Sequence, residues 1–418
     1  MMIQRTIPPA AAPIGLKDLV SAMAGLLSSQ ERLGRLEREL KDYFGVRHVF
    51  LLSSGKAALA LILEALKTLA PGKDSVLIPA YTCFSVPSAI VKAGLNVALC
   101  DIDRDTFDYD PAQLPGSIGP DTLCVVANHL FGIPADVEAM MALRKNKEFF
   151  VVEDAAQAMG GTRNGKKLGT IGDVGFFSLG RGKNITTGSG GIIITNNDRI
   201  AAAIALHYST LPAPGPGESV ADLAKAMALA CFIHPSLYWL PAGLPGLGLG
   251  ETRFEPDFPI KTMSGLKAGL MRNWRTRLER SNQKRKKNTL AACIIYGNKK
   301  KCGTSPAFLR FPVLARNREM RDRMYYSLLH KGFGVSRMYP TAINQVGELH
   351  DRFDGAKFPS AEDVAARIVT LPTHELVSEI DRQEILSALC EFMPPANPSA
   401  VDAATCFERP VSERLAMS

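Results

Sequence analysis

The stretch VFLLSSGKAALALILEALKTLAPGKDSVLI, residues 49–78, contains two short apolar runs on either side of a longer apolar segment. We predict a strand over Val49–Leu52, a helix over Ala57–Leu69 and a second strand over Ser75–Ile78. Short runs of Val, Ile, Leu and Phe that alternate with helices are typical of a parallel sheet covered on both faces. The stretch therefore predicts an α/β fold.

The same alternation continues to residue 195, and the last two strands are joined by a Gly-rich loop instead of a helix. Together these segments indicate one large domain with a mostly parallel sheet between helices. The further predicted helices are Ser28–Tyr43, Pro87–Ala93 and Val137–Lys145, and the further predicted strands are Val97–Leu99, Leu123–Ala127, Phe149–Val152, Val174–Ser178 and Gly191–Thr195.

A second, smaller α/β domain is predicted after residue 254. We expect a large domain over 1–254, a smaller domain over 255–395 and a tail over 396–418. Residues 211–259, rich in Pro and Gly, show no clear periodicity and form an atypical apolar insertion. Predicted elements of the second domain are the helices Met263–Lys286, Glu319–Lys331, Ala361–Ile368 and Ser378–Cys390, with strands at Phe308–Val313 and around Val335.

Composition excludes several classes of protein. Of the 418 residues 46% are apolar and 22% are charged, which are ordinary globular values and exclude collagen-like, disordered and multi-spanning membrane proteins. The net charge of +8 comes from residues 272–301, with eleven Lys or Arg and one acid. A nucleic-acid partner is therefore not predicted. We interpret the basic run as the solvated face of a long helix; binding of anionic lipid headgroups or of a substrate's diphosphate is the alternative.

Residues 226–250 carry no charged side chain apart from His234, and their length would suffice to span a bilayer. Several Pro and Gly residues would break any helix there, so we expect a buried or subunit-facing loop. A peripheral membrane contact is the next alternative, and a true span is the least favoured.

The eight cysteines form no CxxC pair and have no metal-ligand spacing with the histidines. We therefore expect reduced, mostly buried thiols, no metal site and a cytoplasmic location. The N-terminus, with prolines before any apolar run, is a poor match to a signal peptide.

Polar residues follow three of the predicted strands, where ligands bind in open α/β sheets. Ser53–Lys56 opens a helix, so its free N–H groups favour an anion. Asp154 ends a strongly apolar strand; it is either a functional carboxylate or the N-cap of a following helix. Lys183 lies in the Gly-rich loop 178–191.

Beyond these patterns, the chain resembles the DegT/DnrJ/EryC1/StrS aminotransferases, fold-type I enzymes that use pyridoxal phosphate (PLP). Eight blocks of sequence match the family's motifs in the right order. They are YFGVRHVFLLSSGKAAL (43–59), VLIPAYTCFSVPSAIVKAG (76–94), DIDRDTFDYDP (101–111), NHLFGIPADVEAM (128–140), VVEDAAQAMGG (151–161), LGTIGDVGFFSLGRGKNITTGSGGIIIT (168–195), MSGLKAG (263–269) and FPSAEDVAARIVTLPTH (358–374).

The resemblance implies roles for individual residues. Lys183 would form the Schiff base with PLP and then transfer protons as general base and acid. Asp154 would pair with the pyridine nitrogen, and Gln157 would lie against the ring or its O3′; helix packing is the alternative for Gln157. Ser178 and the backbone amides of Gly55 and Lys56 would hold the phosphate.

Three departures from the family's motifs concern the same site. Lys56 stands where Thr or Ser is usual, so a hydroxyl contact is lost and a charge is added near the phosphate. Cys83 stands where many relatives have the aromatic residue that stacks on the ring, and we favour Phe84 for that role over Cys83. Residues 260–262, Ile-Lys-Thr, replace the usual Asn-aromatic-Arg, whose Asn reaches the neighbouring subunit.

The resemblance thus implies a PLP-dependent aminotransferase that moves an amino group, usually from glutamate, to a keto sugar in glycan or polysaccharide biosynthesis. A lipid-linked or nucleotide-linked acceptor and a homodimer are expected. Lys183 argues against the dehydratase branch, which has His at that position. Alternatives are a PLP enzyme acting on amino acids and a PLP-binding regulatory or scaffold protein whose activity is reduced by Lys56, Cys83 and Ile260.

Overall fold

The computed structural model describes residues 5–244, 252–297, 302 and 306–394. Its strands are β1 (His48–Leu52), β2 (Ser75–Pro79), β3 (Asn96–Cys100), β4 (Thr122–Asn128), β5 (Phe150–Asp154), β6 (Thr162–Arg163), β7 (Lys166–Lys167), β8 (Val174–Ser178), β9 (Gly191–Thr195), β10 (Arg310–Leu314) and β11 (Ile368–Pro372).

The helices of the described residues are numbered in chain order. They are α1 (Leu16–Leu27), α2 (Ser29–Phe44), α3 (Gly55–Leu69), α4 (Ser85–Lys92), α5 (Leu114–Ser117), α6 (Val137–Leu143), α7 (Asp198–Ser209), α8 (Pro216–Phe232), α9 (Trp239–Ala242), α10 (Gly265–Leu270), α11 (Trp274–Tyr296), α12 (Arg318–His330), α13 (Pro359–Arg367) and α14 (Glu379–Phe392).

Seven strands form one sheet in the order β1-β9-β8-β5-β4-β2-β3, in which β9 alone runs antiparallel to its neighbours. The predicted mostly parallel α/β sheet is therefore confirmed. Strands β2 and β4 are buried along their whole length, because helices cover both faces of the sheet. Ten residues of helix α3 are buried, between this sheet and helices α4 and α7.

A two-stranded antiparallel sheet, β10 with β11, lies in the C-terminal part of the chain. The strand predicted around Val335 is wrong, since only an isolated bridge joins Ser336 to Thr370. The helix predicted to reach Ile368 ends at Arg367, where β11 begins. The predicted boundary near residue 255 stays a prediction, and the predicted tail lies outside the described residues.

The single helix predicted over Met263–Lys286 is wrong. It is divided into α10 and α11, because Asn273 adopts a left-handed conformation with φ 49°. The prediction that the basic run forms the solvated face of a helix is correct only in part. Arg275 pairs with Asp42 at 2.7 Å, and Arg285 is fully buried.

The apolar insertion is more regular than its sequence predicted, since it contains α8 and α9. The loop expected over 226–250 is therefore wrong for its first residues, which belong to α8, and residues 245–250 lie outside the described part. Among the described helices none is long and apolar enough to cross a membrane. Helix α1, which was not predicted, packs against α8 and α10.

The N-terminal segment 5–14 lies between distant parts of the chain. Ile7 N–H donates to Gly332 O at 2.8 Å, and Arg5 forms an ion pair with Asp381. Ala11 O accepts a hydrogen bond from Arg285 Nη2 at 2.9 Å. The first described residues are thus fixed by residues that come more than 270 positions later.

The prediction of eight reduced cysteines is wrong. Cys293, near the end of α11, forms a disulfide with Cys302, nine positions later in the chain. Cys100 and Cys124 are free and buried, whereas Cys231 is free and exposed. The cytoplasmic location remains a prediction.

Candidate active site

The ends of three strands meet at one edge of the large sheet. Strands β1, β5 and β8 run in the same direction and end at Leu52, Asp154 and Ser178. These three ends therefore lie along the same edge of the sheet. This edge is the one at which open α/β sheets bind ligands. The structure therefore brings the predicted anion site and the predicted carboxylate to the same side of the sheet.

Asp154 and Glu153 end β5 but serve different purposes. Glu153 is fully buried and accepts hydrogen bonds from Gly169 N at 2.8 Å and Gly172 N at 2.6 Å, and it contacts His129 at 3.0 Å. These contacts give each oxygen of its carboxylate a hydrogen-bond donor and fix the loop 169–172. Asp154 is 6% exposed and accepts one bond, from Ala156 N at 3.0 Å.

The alternative role of Asp154 as a helix N-cap is wrong, because no helix starts after it in this described segment. Burial raises the pKa of its carboxyl, while Ala156 N–H, Lys183 and His129 each act in the opposite direction. A buried acid without a full set of partners is typical of a site that binds a complementary group.

Lys183 lies in the loop between β8 and β9, as predicted. Burial lowers the pKa of its ammonium; Cys83 and Asp154 oppose that shift, and Arg310 adds to it. Lys183 and Asp154 are close enough for each to affect the pKa of the other. A lysine that loses its proton easily is suited to nucleophilic chemistry with a carbonyl group.

The loop before Lys183 has room only for glycine at one position. Gly182 has φ 74°, and a Cβ atom there would lie 2.7 Å from Ala10 Cβ. The loop continues through Thr187, whose N–H donates to Leu179 O at 3.0 Å. The N-terminal segment at Ala10 and the loop at Gly182 are thus in close contact, which fixes the backbone next to Lys183.

The start of α3 packs directly on the end of β8. A Cβ atom on Gly55 would lie 2.8 Å from Ser178 Cβ, so only glycine allows this approach. Ser54 caps the helix by accepting from Ala57 N at 3.1 Å. The N–H groups of Gly55 and Lys56 are the first of the helix, have no acceptor within it and favour an anion.

The side chain of Lys56 is already engaged. Its Nζ contacts Glu255 Oε2 at 2.8 Å and lies 4.7 Å from the centre of the Phe258 ring. The charge predicted near a phosphate therefore has a carboxylate partner, Glu255, and its role at a phosphate stays a prediction. The backbone amide of Lys56 remains available.

Gln157 and Phe84 meet at Tyr339, which sequence reasoning missed. Gln157 Nε2 donates to Tyr339 Oη at 3.0 Å, and its Oε1 accepts from Phe131 N at 3.2 Å. The Phe84 ring is centred 6.0 Å from that of Tyr339. Cys83 is half-buried and influences the pKa of Lys183, so both candidates for ring stacking lie in this region.

Residues 260–262 lie beside the start of α3. Thr262 bridges Leu52, and Ser53 N–H donates to Lys261 O at 2.9 Å. The Lys261 side chain pairs with Glu218 of α8. The residues that replace the family's usual motif therefore support the anion site through their backbone.

These residues fit PLP. The group requires a small-residue corner for a phosphate, an acid for a ring nitrogen and a lysine for an aldehyde. The glycine contacts at Gly55, the buried Asp154 and Lys183, whose pKa burial lowers, meet these requirements.

Known proteins match this chain in sequence and in fold. GDP-perosamine synthase of Caulobacter vibrioides is 38% identical over 170 residues, which cover 41% of this chain and 45% of that protein. The Pleiotropic regulatory protein of Geobacillus stearothermophilus is 37% identical over 168 residues, covering 40% and 45%. The chain thus spans about half the length of the curated relatives it matches.

Among solved structures, Helicobacter pylori PseC, described as an aminotransferase involved in the biosynthesis of pseudoaminic acid, has a TM-score of 0.74 and 17% identity, covering 93% of this chain and 99% of that one. The sequence profile of the DegT/DnrJ/EryC1/StrS aminotransferase family matches residues 18–214 and 263–390, and leaves out the segment with α8 and α9. The chain belongs to the DegT/DnrJ/EryC1/StrS aminotransferase family.

Proposed function

We propose that this protein is a PLP-dependent aminotransferase that transfers an amino group from an amino acid to a keto sugar linked to a nucleotide or a lipid. The observation that carries the proposal is the buried Asp154 and the half-buried Lys183, each of which affects the pKa of the other, at the sheet edge where a helix start favours an anion. Curated relatives named GDP-perosamine synthase and UDP-N-acetyl-3-dehydro-alpha-D-glucosamine 3-aminotranferase support a nucleotide-linked acceptor.

The residues have separable tasks in this proposal. Asp154 would hold a proton at the ring nitrogen, while Gly55, Lys56 and Ser178 would bind the phosphate. When bound, PLP supplies an electron sink that stabilises negative charge at the substrate carbon. Lys183 Nζ, whose pKa burial lowers, would take the proton from that carbon and later return it.

Covalent attachment of PLP tests this assignment directly. Reduction with borohydride followed by peptide mass spectrometry is expected to locate the cofactor on Lys183, because its burial favours the unprotonated amine. Lys183→Ala is expected to lose the attachment and to reduce amino transfer by at least about a thousandfold. Circular dichroism checks that the variant folds, and attachment at another lysine would contradict the assignment.

The same preparation distinguishes an enzyme from a regulatory or scaffold protein. Glutamate is expected to change the visible absorbance of bound PLP, and a keto sugar is expected to restore it, as in two successive half-reactions. The relative named Pleiotropic regulatory protein supports a regulatory role as the alternative. Attached PLP that responds to no amino acid would favour the regulatory alternative.

We also propose that the protein is a homodimer through an exposed apolar surface on two adjacent helices, which we call the α1–α8 face. In α1 the exposed apolar side chains are Leu16, Val20, Met23, Leu26 and Leu27, and Leu27 is 93% exposed. In α8, Val220 and Met227 are 64% and 55% exposed. Exposed apolar side chains on adjacent helices favour burial against another protein surface.

Some of the charges near this face are paired. The ammonium of Lys267 pairs with Asp222 at 2.9 Å, and Arg277 pairs with Asp18 at 3.4 Å. Lys17 of α1 and Lys225 of α8 are exposed as well. Anionic lipid is attracted by basic residues around an apolar face, so a membrane contact of this face is the alternative to a second copy of the chain.

A further inference from the structure

Asn282, within α11, is a buried amide that links two loops. Its Nδ2 donates to Met159 O at 2.9 Å, and its Oδ1 accepts from Asn184 Nδ2 at 2.9 Å. The contact with the first loop is close, since a Cβ atom on Gly160 would lie 2.8 Å from Asn282 Nδ2. Asn282 is 7% exposed, so both hydrogen bonds form in a low-dielectric environment, where they are electrostatically stronger than in water.

The two loops adjoin the two groups on which the proposed function depends. Met159 lies shortly after Asp154, and Asn184 directly follows Lys183. Asp154 is held by strand pairing, since it is the last residue of β5 and pairs with Phe176 of β8. Lys183 has no such support, because its loop lies outside the strands. Helix α11 therefore connects the loop of Lys183 to the segment that follows Asp154.

The side chain of Asn184 depends on this contact. Asn184 is 2% exposed, and its Oδ1 has no hydrogen-bond partner among the described residues. The hydrogen bond from its Nδ2 to Asn282 thus fixes the side chain of the residue next to Lys183. Loss of that bond would leave a buried amide donor unsatisfied, which is costly unless the loop moves.

The same helix also holds the residue before Lys183. Arg285, one turn further along α11, donates from Nη2 to Ala11 O at 2.9 Å. The neighbouring Ala10 lies against Gly182, where an added Cβ atom would be 2.7 Å from Ala10 Cβ. Helix α11 thus holds the backbone on both sides of Lys183, through the N-terminal segment before it and by a direct side-chain hydrogen bond after it.

We propose that Asn282 is a positioning residue that keeps Lys183 at the distance from Asp154 that PLP requires. This inference rests on the proposed function. An acid that pairs with the ring nitrogen and an amine that attacks the aldehyde act at different atoms of one rigid ring, so their separation must match that ring. A misplacement of about 1 Å can reduce a reaction rate about a hundredfold. Because Asn282 contacts both loops, one side chain fixes the position of Lys183 relative to Asp154.

Two measurements on the protein freed of PLP separate positioning from binding. The rate of PLP attachment, trapped with borohydride and quantified on the peptide that contains Lys183, reports the approach of the amine to the aldehyde. Calorimetry with pyridoxine 5′-phosphate, which has an alcohol in place of the aldehyde, reports the phosphate and ring contacts alone. Asn282→Leu, which removes both hydrogen bonds at similar volume, is expected to slow attachment about 10- to 100-fold and to leave that affinity within about twofold.

Asn288→Leu is the matched control. Asn288 lies on the same helix, is also 7% exposed and donates two hydrogen bonds from Nδ2, to Thr373 O and His374 O at 3.0 Å each. Its substitution is expected to lower the Tm about as much as Asn282→Leu, since both leave buried polar groups unsatisfied. The rate of attachment in Asn288→Leu is expected to stay within about twofold of the wild type. A general loss of stability is thus measured separately from a loss of positioning.

The other partner of the hydrogen bond gives a second test. Asn184→Leu removes only the contact on the lysine side and is expected to slow attachment about as much as Asn282→Leu, with the double variant no slower than Asn282→Leu alone. Equal attachment rates in wild type and Asn282→Leu, or an equal slowing in Asn288→Leu, overturn the inference. Should Asn282→Leu not fold, Asn184→Leu decides in the same way. Failure of the proposed function would differ, because the wild-type protein would then carry no PLP on Lys183.

Discussion

At the scale of single residues, the site depends on side chains that are buried with few partners. Asp154 and Glu153 are neighbours in sequence, yet Glu153 is satisfied by backbone N–H groups and Asp154 has one such contact. The alternation of side chains along a strand sends them to opposite faces. A charged residue in a buried strand therefore indicates a ligand site only when its hydrogen-bond partners are known.

His374 makes the stability of the fold depend on pH. Its Nε2–H donates to Pro8 O at 2.8 Å, and burial lowers its pKa to about 3. Below pH 6.5 the unfolded chain takes up a proton that the folded chain does not, so stability falls as the pH decreases from 6.5 toward 3. Between pH 7 and pH 5 we expect this group to cost about 2 kcal/mol.

Urea unfolding at the two pH values measures this effect. His374→Gln cannot take up the proton and is expected to show a smaller loss of unfolding free energy on acidification than the wild type. His350→Gln is the control, because His350 is exposed. Equal pH dependence in wild type and His374→Gln would show that His374 is not the group responsible.

At the scale of elements, the loop that carries Lys183 requires glycine for two separable reasons. Gly182 and Gly188 both have positive φ, but of the two only Gly182 would place an added Cβ atom within 4 Å of a neighbouring atom. Gly188→Ala is expected to cost about 1 kcal/mol from the backbone conformation alone. Gly182→Ala adds a clash with Ala10 and is expected to cost about 3 kcal/mol.

Thermal unfolding and PLP attachment check this pair of variants. Gly182→Ala is expected to lower both the Tm and the fraction of Lys183 that carries PLP, because the clash moves the backbone next to that lysine. Gly188→Ala is expected to retain full attachment. Equal effects of the two substitutions would mean that Ala10 does not constrain the loop.

Prediction from sequence succeeded best for buried elements with a regular pattern. The bounds of β8 and β9 were predicted to the residue, since Val174–Ser178 and Gly191–Thr195 are short apolar runs between glycines. The division between α10 and α11 was missed, because the left-handed conformation of Asn273 depends on tertiary packing. Helix α8 was missed because residues 211–259, rich in Pro and Gly, show no clear periodicity, although Pro216 stands at its first position, where proline is tolerated.

The candidate site residues were found where strand ends or the motifs of the family indicate them, and their roles stay predictions. Lys183, Asp154 and Gln157 follow recognisable strand ends, whereas Tyr339 comes from a loop without a pattern. The sequence around Arg310 contains a further indication of a buried polar contact. A charged residue inside the apolar run FLRFPVL indicates either a buried partner or a ligand.

At the scale of the whole molecule, the α1–α8 face determines the proposed assembly. Leu27→Glu is expected to place a charge in the dimer interface and to convert the protein into monomers, as measured by light scattering after size exclusion. Leu206→Glu, on α7, is the control: Leu206 is 65% exposed but lies on a different helix. It is expected to remain dimeric.

Two results would contradict the proposed homodimer. One is a wild-type protein that is monomeric at all concentrations. The other is a monomer that sediments with phosphatidylserine vesicles and loses that binding in Leu27→Glu, since the same face would then contact lipid. A dimer that Leu27→Glu leaves intact would place the interface elsewhere.

The contacts of segment 5–14 have a consequence for synthesis of the chain. The ribosome releases this segment before Gly332, His374 and Asp381, which bind it. During translation the segment must stay exposed or be held by a chaperone until those residues emerge. An early stop that removes α14 therefore leaves segment 5–14 without part of its final contacts.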